Sequence, residues 1–406
     1  MYGLIRTRLV RLAIATGNEE LRLKGPDEGS FCGATVALVL LRLRSDIGDF
    51  AMEQIDHELR RQCRRALSYH LRESPREILT RLAIHPLAEN VADYFGKGTA
   101  LHQLERRTAD LLGKEEAQYF HKGVIAQQCL LRSVSESSTS PAIALAPMSH
   151  IDFEEGNALE AVHGLRVVRL GRNSPFRVKD LSAVGDKLAA VVIELPLRRA
   201  GYLMPSWDEL GEMSKWCRHQ GIHLHIDGAR IWEAAAGYGR EPREVASLGD
   251  SVYVSYYKGL GGIAGCALAG SSDLIRMVQP WRTRLGGIMS TAYPYVLSAL
   301  DGIDRHLPRI DEYVHRARAL ASRISGICVV NPPIPHTNAF QVLLKGTPAE
   351  LVERHRSFAS SNSVWLFNSF TETQLPQITM AEVVIGSAAD LYTDDEACEW
   401  LNSFVK

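Results

Sequence analysis

Apolar positions in this chain fall into short, nearly unbroken runs separated by longer stretches in which they recur at helical spacing. The runs Ala142–Leu145, Leu165–Leu170, Ala189–Leu195, His223–Ile226, Val252–Tyr256 and Ile263–Leu268 predict strands. Their continuity, in place of strict alternation, suits a sheet covered on both faces. A helix is predicted from Leu101 to Leu112, with Leu101, Leu104, Thr108, Leu111 and Leu112 on one face and Gly113 as its stop. Between the third and fourth runs, Pro205 precedes a capping box of Ser206 and Glu209. Leu210, Met213, Trp216 and Cys217 then form a buried stripe that ends at Gly221. Strand, helix and strand at this spacing predict an α/β domain with a largely parallel sheet.

The pattern changes around residues 305–325. Ile327–Val330 and Phe340–Leu344 predict strands of a smaller unit. A second capping box, Thr393 with Glu396, opens a last helix that turns Ala397, Trp400, Leu401 and Phe404 inward. At the other end, Ile55 to Tyr69 is rich in Arg and carries Leu and Ala at helical spacing, which predicts a solvated helix. The expected organisation is an N-terminal helical segment (1–80), a large α/β domain (81–305) and a small α+β domain (306–406).

Composition narrows the function classes. The 406 residues carry 46 basic and 47 acidic side chains, with 46% hydrophobic and 23% charged residues. These are ordinary globular values, which exclude a disordered tail protein and a polycationic clamp for nucleic acid. Seven scattered cysteines, none in a Cys-x-x-Cys spacing, read as reduced thiols of a cytoplasmic protein and give no metal site. The run Val36–Leu41 falls far short of the ~20 residues a membrane span needs. Arg6, Arg8 and Arg11 among aliphatic residues favour a basic amphipathic helix over a transit peptide.

Two strand ends carry unusual chemistry. One reads His223-Leu224-His225-Ile226-Asp227-Gly228-Ala229-Arg230; the other ends Tyr257-Lys258-Gly259-Leu260-Gly261-Gly262. In an open parallel sheet, ligands collect outside the carboxyl ends of the strands. A lone Lys in a dry pocket has a lowered pKa and attacks carbonyls to form a Schiff base. An Asp one strand away could keep a pyridinium nitrogen protonated, and together these are the parts that pyridoxal phosphate requires. Either motif alone is as well explained by a strand-end salt bridge; both in order favour the cofactor.

Leu224 to Gly270 resembles the threonine aldolase and β-eliminating lyase family of fold type I pyridoxal-phosphate enzymes. The matching features are Asp-Gly-Ala-Arg at 227–230, Lys-Gly-Leu-Gly at 258–261 and their separation. Weaker similarity runs from Asp93 to Leu300 and includes His150 with Glu155, and Gly286-Gly287. The resemblance implies a mostly parallel seven-stranded sheet flanked by helices, and a homodimer or homotetramer acting on a small amino acid. It implies no nucleic-acid or membrane partner; Trp281, Tyr293 and Tyr295 are candidate interface aromatics. Lys258 would link to the cofactor aldehyde, Asp227 would pair with the ring nitrogen, His150 would stack on the ring and Arg230 would clamp the substrate carboxylate.

Four departures from the family pattern stand out. Where the family has Ser-Gly-Thr at the phosphate site, this chain has His121-Lys122-Gly123-Val124, so Lys122 and the amides of Gly123 and Val124 are the expected phosphate ligands. Leu197 stands where family aldolases often place a His that handles the substrate hydroxyl, leaving His121 or His225 as replacements. Tyr257 replaces the usual Ser before the lysine. No arginine follows Arg356 to supply a second carboxylate anchor. The implied activity is cleavage or formation of the Cα–Cβ bond of a β-hydroxy-α-amino acid, giving glycine and an aldehyde. The alternatives are β-elimination or β-substitution in specialised metabolism, and a catalytically degenerate relative.

Overall fold

A computed structural model describes residues 56–406. The basic helix expected around Arg6, Arg8 and Arg11 and the run Val36–Leu41 lie outside the described residues. Residues 62–406 pack as one unit. The helix expected from Ile55 to Tyr69 is shorter than its pattern suggests: residues 56–62 are helical and the chain then extends. Arg65–Ala66 (β1) pairs in parallel with Val364–Trp365 at the far end of the chain. The amide of Leu67 donates to the Trp365 carbonyl at 2.9 Å, so a distant backbone ladder overrides local helical periodicity here.

The central sheet is built from β2 (Glu116–Phe120), β3 (Ala142–Leu145), β4 (Arg166–Arg169), β5 (Ala190–Glu194), β6 (His223–Asp227), β7 (Ser251–Ser255) and β8 (Cys266–Gly270). Their spatial order is β2-β8-β7-β6-β5-β3-β4. The five strands from β4 to β7 in that order are parallel, while β8 and β2 close one edge antiparallel. β2 escaped the hydrophobic reading because Glu116 and Gln118 alternate with buried residues, as an edge strand allows. β8 starts three residues later than the run Ile263–Leu268 predicts, since Ile263 to Gly265 belong to the loop that follows Lys258.

Helices cover both faces. Thr99–Leu112 buries Leu101, Leu104, Thr108, Ala109 and Leu112 and stops at Gly113 with φ +62°. Trp207–Gln220 starts with the Ser206–Glu209 capping box and ends at Gly221 in the left-handed region. Two core clusters, one on each side of the sheet, account for the continuous apolar runs.

The second sheet consists of β9 (Val329–Asn331), β10 (Ala339–Lys345), β12 (Thr371–Glu372) and β13 (Ile378–Val384), all antiparallel in the order β12-β13-β10-β9, while Val364–Trp365 is β11. The last helix, Asp394–Val405, carries the Thr393–Glu396 box and buries Ala397, Trp400, Leu401 and Phe404. Among the described residues, no helix is long and apolar enough to cross a membrane. Of the candidate interface aromatics, Tyr293 is exposed, Tyr295 packs against the core and Trp281 donates to Glu136 at 2.9 Å.

Candidate active site

The carboxyl ends of β3, β5, β6 and β7 point into one region. Asp227 is the last residue of β6 and is paired in register with Glu194, the last residue of β5. Asp227 is only 2% exposed, and no cation lies within ion-pair distance of it among the described residues. Its hydrogen-bond partner is the Ala229 amide at 3.3 Å. Burial pushes its carboxyl above the ordinary aspartate range, opposed by the positive charges of Lys258 and His150. A buried carboxylate with so few donors is set to receive a hydrogen bond from a ligand.

Lys258 lies just beyond β7. Burial, reinforced by Arg230, lowers its amine to about 8, while Asp227 and Glu194 hold it up. At that value about a tenth is the free amine at pH 7, the form a nucleophile for an aldehyde must take. Lys258, Asp227, His150, Lys122, Gly123 and Val124 all line one cavity of about 330 Å³, within the usual range for a small-molecule pocket of about 300–1,000 Å³.

At one end of this cavity the helix Gly123–Glu136 begins. Its N-cap is Lys122, and no side chain caps it. The Ala126 amide closes the first turn onto the Lys122 carbonyl, which leaves the preceding amides free for an anion. A Cβ on Gly123 would sit 2.2 Å from the Tyr253 hydroxyl, so only glycine brings the backbone this close. A phosphate dianion fits this cradle, with the exposed Lys122 ammonium beside it.

His150 follows β3. Its amide donates to Glu194 Oε2 at 2.6 Å and its Nδ1 lies 3.1 Å from Glu155 Oε1. That hydrogen bond raises the imidazole above its usual pKa despite burial. Glu155 Oε2 is buried without a partner. Glu194 also accepts from the Arg198 amide at 3.1 Å, and burial with Asp227 close by pushes its carboxyl up to about 7.

Beyond Lys258 a smaller cavity, about 110 Å³, is lined by Met148, His150, Glu194, Arg198 and Arg230 among others. The Arg230 guanidinium lies 5.3 Å from the centre of the Tyr202 ring and has no ion pair among the described residues. Its planar fork therefore keeps its donors for a carboxylate. Arg198 bonds Glu382 of β13 at 2.9 Å, and Arg199 bonds Glu154 at 2.6 Å.

All seven site residues expected from the sequence converge here. The candidates for the missing histidine fare differently. Leu197 is 2% exposed and lines a core pocket with Phe176, Ile193, Met213 and Glu194, while neither of the two cavities that hold Lys258 has it in its wall. His225 is fully buried between Gln127 and Ser251, and burial lowers it to about 3, which removes it as a substrate base. His121 lines a separate small pocket with Arg282 and Tyr119. Sequence reasoning did not single out Glu194 as a partner of His150, nor Arg198 as part of the wall. A carboxylate ending a strand next to the Asp227 strand was the available signal for Glu194.

The family described as beta-eliminating lyase matches residues 88–346. The low specificity L-threonine aldolase of Escherichia coli K12 is 27% identical over 248 residues, covering 57% of this chain and 71% of that protein. Aldolase vrtJ of Penicillium aethiopicum is 31% identical over 199 residues, 47% of this chain; the match spans only half (50%) of that protein. A crystal structure of a candidate L-allo-threonine aldolase from Listeria monocytogenes EGD-E superposes with a TM-score of 0.81 at 29% identity, covering 87% of this chain and 99% of that one.

Proposed function

The chain belongs to the β-eliminating lyase family, with the fold of type I pyridoxal-phosphate enzymes, and from that premise we propose that it is a carbon–carbon lyase of the threonine-aldolase type. Its reaction cleaves, or in reverse forms, the Cα–Cβ bond of a β-hydroxy-α-amino acid, with glycine and an aldehyde as products. The observation that carries this reading is that the Lys258 amine and the under-bonded Asp227 carboxylate line one cavity, with an uncapped helix N-terminus and an arginine without an ion pair close by.

Pyridoxal phosphate, when bound, supplies a conjugated electron sink for the pair released at Cα. In this reading Lys258 is its attachment point, Asp227 accepts the ring N–H, and Lys122 with the amides of Gly123 and Val124 holds the phosphate. Arg230 would bind the substrate carboxylate and so fix the orientation of Cα in the cavity. His150 keeps Nδ1 on Glu155, which leaves Nε2 to take the β-hydroxyl proton as the bond breaks and to return it in the synthetic direction. Glu194 anchors the His150 backbone and thereby the reach of that ring.

β-Elimination or β-substitution is the second reading, favoured by the inward-facing Leu197, which leaves the loop after β5 without a proton acceptor. Product analysis separates the two: aldehyde and glycine from threonine or allo-threonine support the aldolase, whereas pyruvate from serine or cysteine with no aldehyde supports elimination. An absorbance spectrum before and after borohydride, with peptide mapping to Lys258, tests the cofactor itself. We further propose that the active form is a homodimer, supported by the exposed Tyr94, Phe95 and Tyr293, and that the reaction takes place in the cytosol, supported by the buried thiols of Cys129, Cys217 and Cys266, none of which forms a disulfide. Light scattering that finds a monomer refutes the former.

A further inference from the structure

The segment 67–71 runs between the small sheet and the loop that carries Lys258. Leu67 accepts from the Tyr392 hydroxyl at 2.6 Å, the Tyr69 amide donates to Val384 at 2.6 Å, and the Leu71 amide donates to Ser387 Oγ at 3.1 Å. His70 looks the other way as well: its Nε2 is 2.9 Å from the Gly259 carbonyl, next to Lys258. A carbonyl can only accept, so Nε2 carries the proton and Nδ1 is an acceptor. Nδ1 faces the amide and the hydroxyl of Ser387, each at 3.3 Å, which are the donors it needs. The ring is therefore neutral in a single tautomer. Burial favours this state, and the His306 ring lies against it at 3.7 Å between centroids.

The Lys258 loop is closely packed by side chains from other elements. A Cβ on Gly259 would lie 1.7 Å from Glu233 Oε1, and one on Gly261 (φ +66°) would meet His70 and His306 ring atoms at 3.0–3.1 Å. Two of the loop's backbone bonds, Gly261 to Lys258 and Gly262 to Tyr256, are internal. Side chains from elsewhere hold it at Ile263, through Ser298 Oγ at 3.0 Å, and at Gly259, through His70.

We propose that His70 is a positioning residue, which fixes the Gly259 carbonyl to Ser387 and so sets the line along which Lys258 enters the cavity. The proposal rests on the reading of Lys258 given above, and it assigns a role to a segment that carries no chemistry of its own. It also couples the turn that follows β13 to the reactive amine: movement of Ser387 is felt at Lys258 through one imidazole.

The experiment compares the full-length holoenzyme with His70→Phe, which keeps a ring against His306 and loses both hydrogen bonds, and with His70→Gln, whose amide N–H reaches the same carbonyl. Hydrogen exchange of residues 256–265 is measured together with the pH midpoint of the bound chromophore, kcat and KM. In His70→Phe, exchange at 259–262 rises about tenfold, as expected for losing a tethering hydrogen bond. The midpoint shifts and kcat falls while KM stays near wild type; His70→Gln restores the exchange rate and the midpoint. Unchanged exchange and midpoint in His70→Phe overturn the proposal, as does a His70→Gln protein impaired as much as His70→Phe. If His70→Phe does not fold, His70→Gln decides alone: parameters near wild type support the tether and a large loss overturns it. A wild-type protein without a chromophore refutes the Lys258 reading instead, and the exchange comparison still judges the tether.

Discussion

Asp227→Asn should change the stability of the cofactor-free protein and its hold on the cofactor in opposite directions. The carboxylate is almost fully buried, with one long backbone hydrogen bond and no ion pair, so the empty site carries the desolvation penalty of an under-satisfied charge. Such a penalty is typically about 1–3 kcal/mol or more, and the isosteric amide relieves it. The sign follows from the raised carboxyl. Above its folded pKa the wild-type protein carries the full penalty, and the penalty fades as pH falls towards the unfolded value near ~3.9. Cofactor-stripped Asp227→Asn should therefore melt higher than wild type at pH 8, by about 1–4 °C at roughly 1–1.5 °C per kcal/mol for a chain of this length, and the difference should vanish near pH 4. With cofactor present the order reverses. Losing a hydrogen bond to a charged group, about 1.5–3 kcal/mol, weakens cofactor binding roughly 10- to 150-fold. The assays are thermal unfolding of stripped and loaded protein across pH and absorbance titration with pyridoxal phosphate. A variant that is no more stable when empty and holds the cofactor as tightly as wild type would refute the assignment of Asp227.

Glu155→Gln leaves an acceptor for His150 Nδ1 but removes the negative charge that helps hold the imidazole above its usual range, so its pKa falls; because the ring must be neutral to accept a proton, the acid limb of the kcat/KM profile moves to lower pH. A limb that stays in place shows that His150 is not the titrating group. Lys122→Ala should weaken cofactor binding by up to about fivefold, as expected for one exposed charge worth up to about 1 kcal/mol, with the effect shrinking at high salt and kcat unchanged under saturation. Equal affinity in low salt removes Lys122 from the phosphate site. Leu197→His, the substitution that sequence comparison invites, should add no aldolase activity and should cost about 1–3 kcal/mol, because the imidazole would enter a small core pocket that is apolar except at Glu194. Chemical denaturation measures the loss, and a gain in aldehyde release would show that the loop after β5 can turn towards the substrate.

What was readable along the chain is what is set by near neighbours. The capping boxes at Ser206 and Thr393 and the left-handed stops at Gly113 and Gly221 lie within a few residues of the helices they end, and each is found where expected. The buried strands announce themselves because both faces are covered and every position must be apolar. Asp227 and Lys258 are legible for the opposite reason: an ionisable group closing such a strand has a desolvation cost that only a partner or a function offsets. The edge strand Glu116–Phe120 gives no such signal, since half of it faces solvent.

The chain's own order determined the strands and helices, the Asp–Lys pair and the glycine-bearing helix start of the phosphate cradle. Tertiary structure alone decided the rest. It turned Leu197 into the core, buried His225 between Gln127 and Ser251, and stood Glu155 behind His150. It also brought His70 to Gly259 and Ser387, 189 and 317 residues further along, and bent a helical-looking stretch into a strand beside Val364. The reason is common to all of these. Local periodicity reports which face of an element is buried, whereas the identity of a side chain's partner depends on how distant elements pack, and the spacing of residues along the chain carries no record of that.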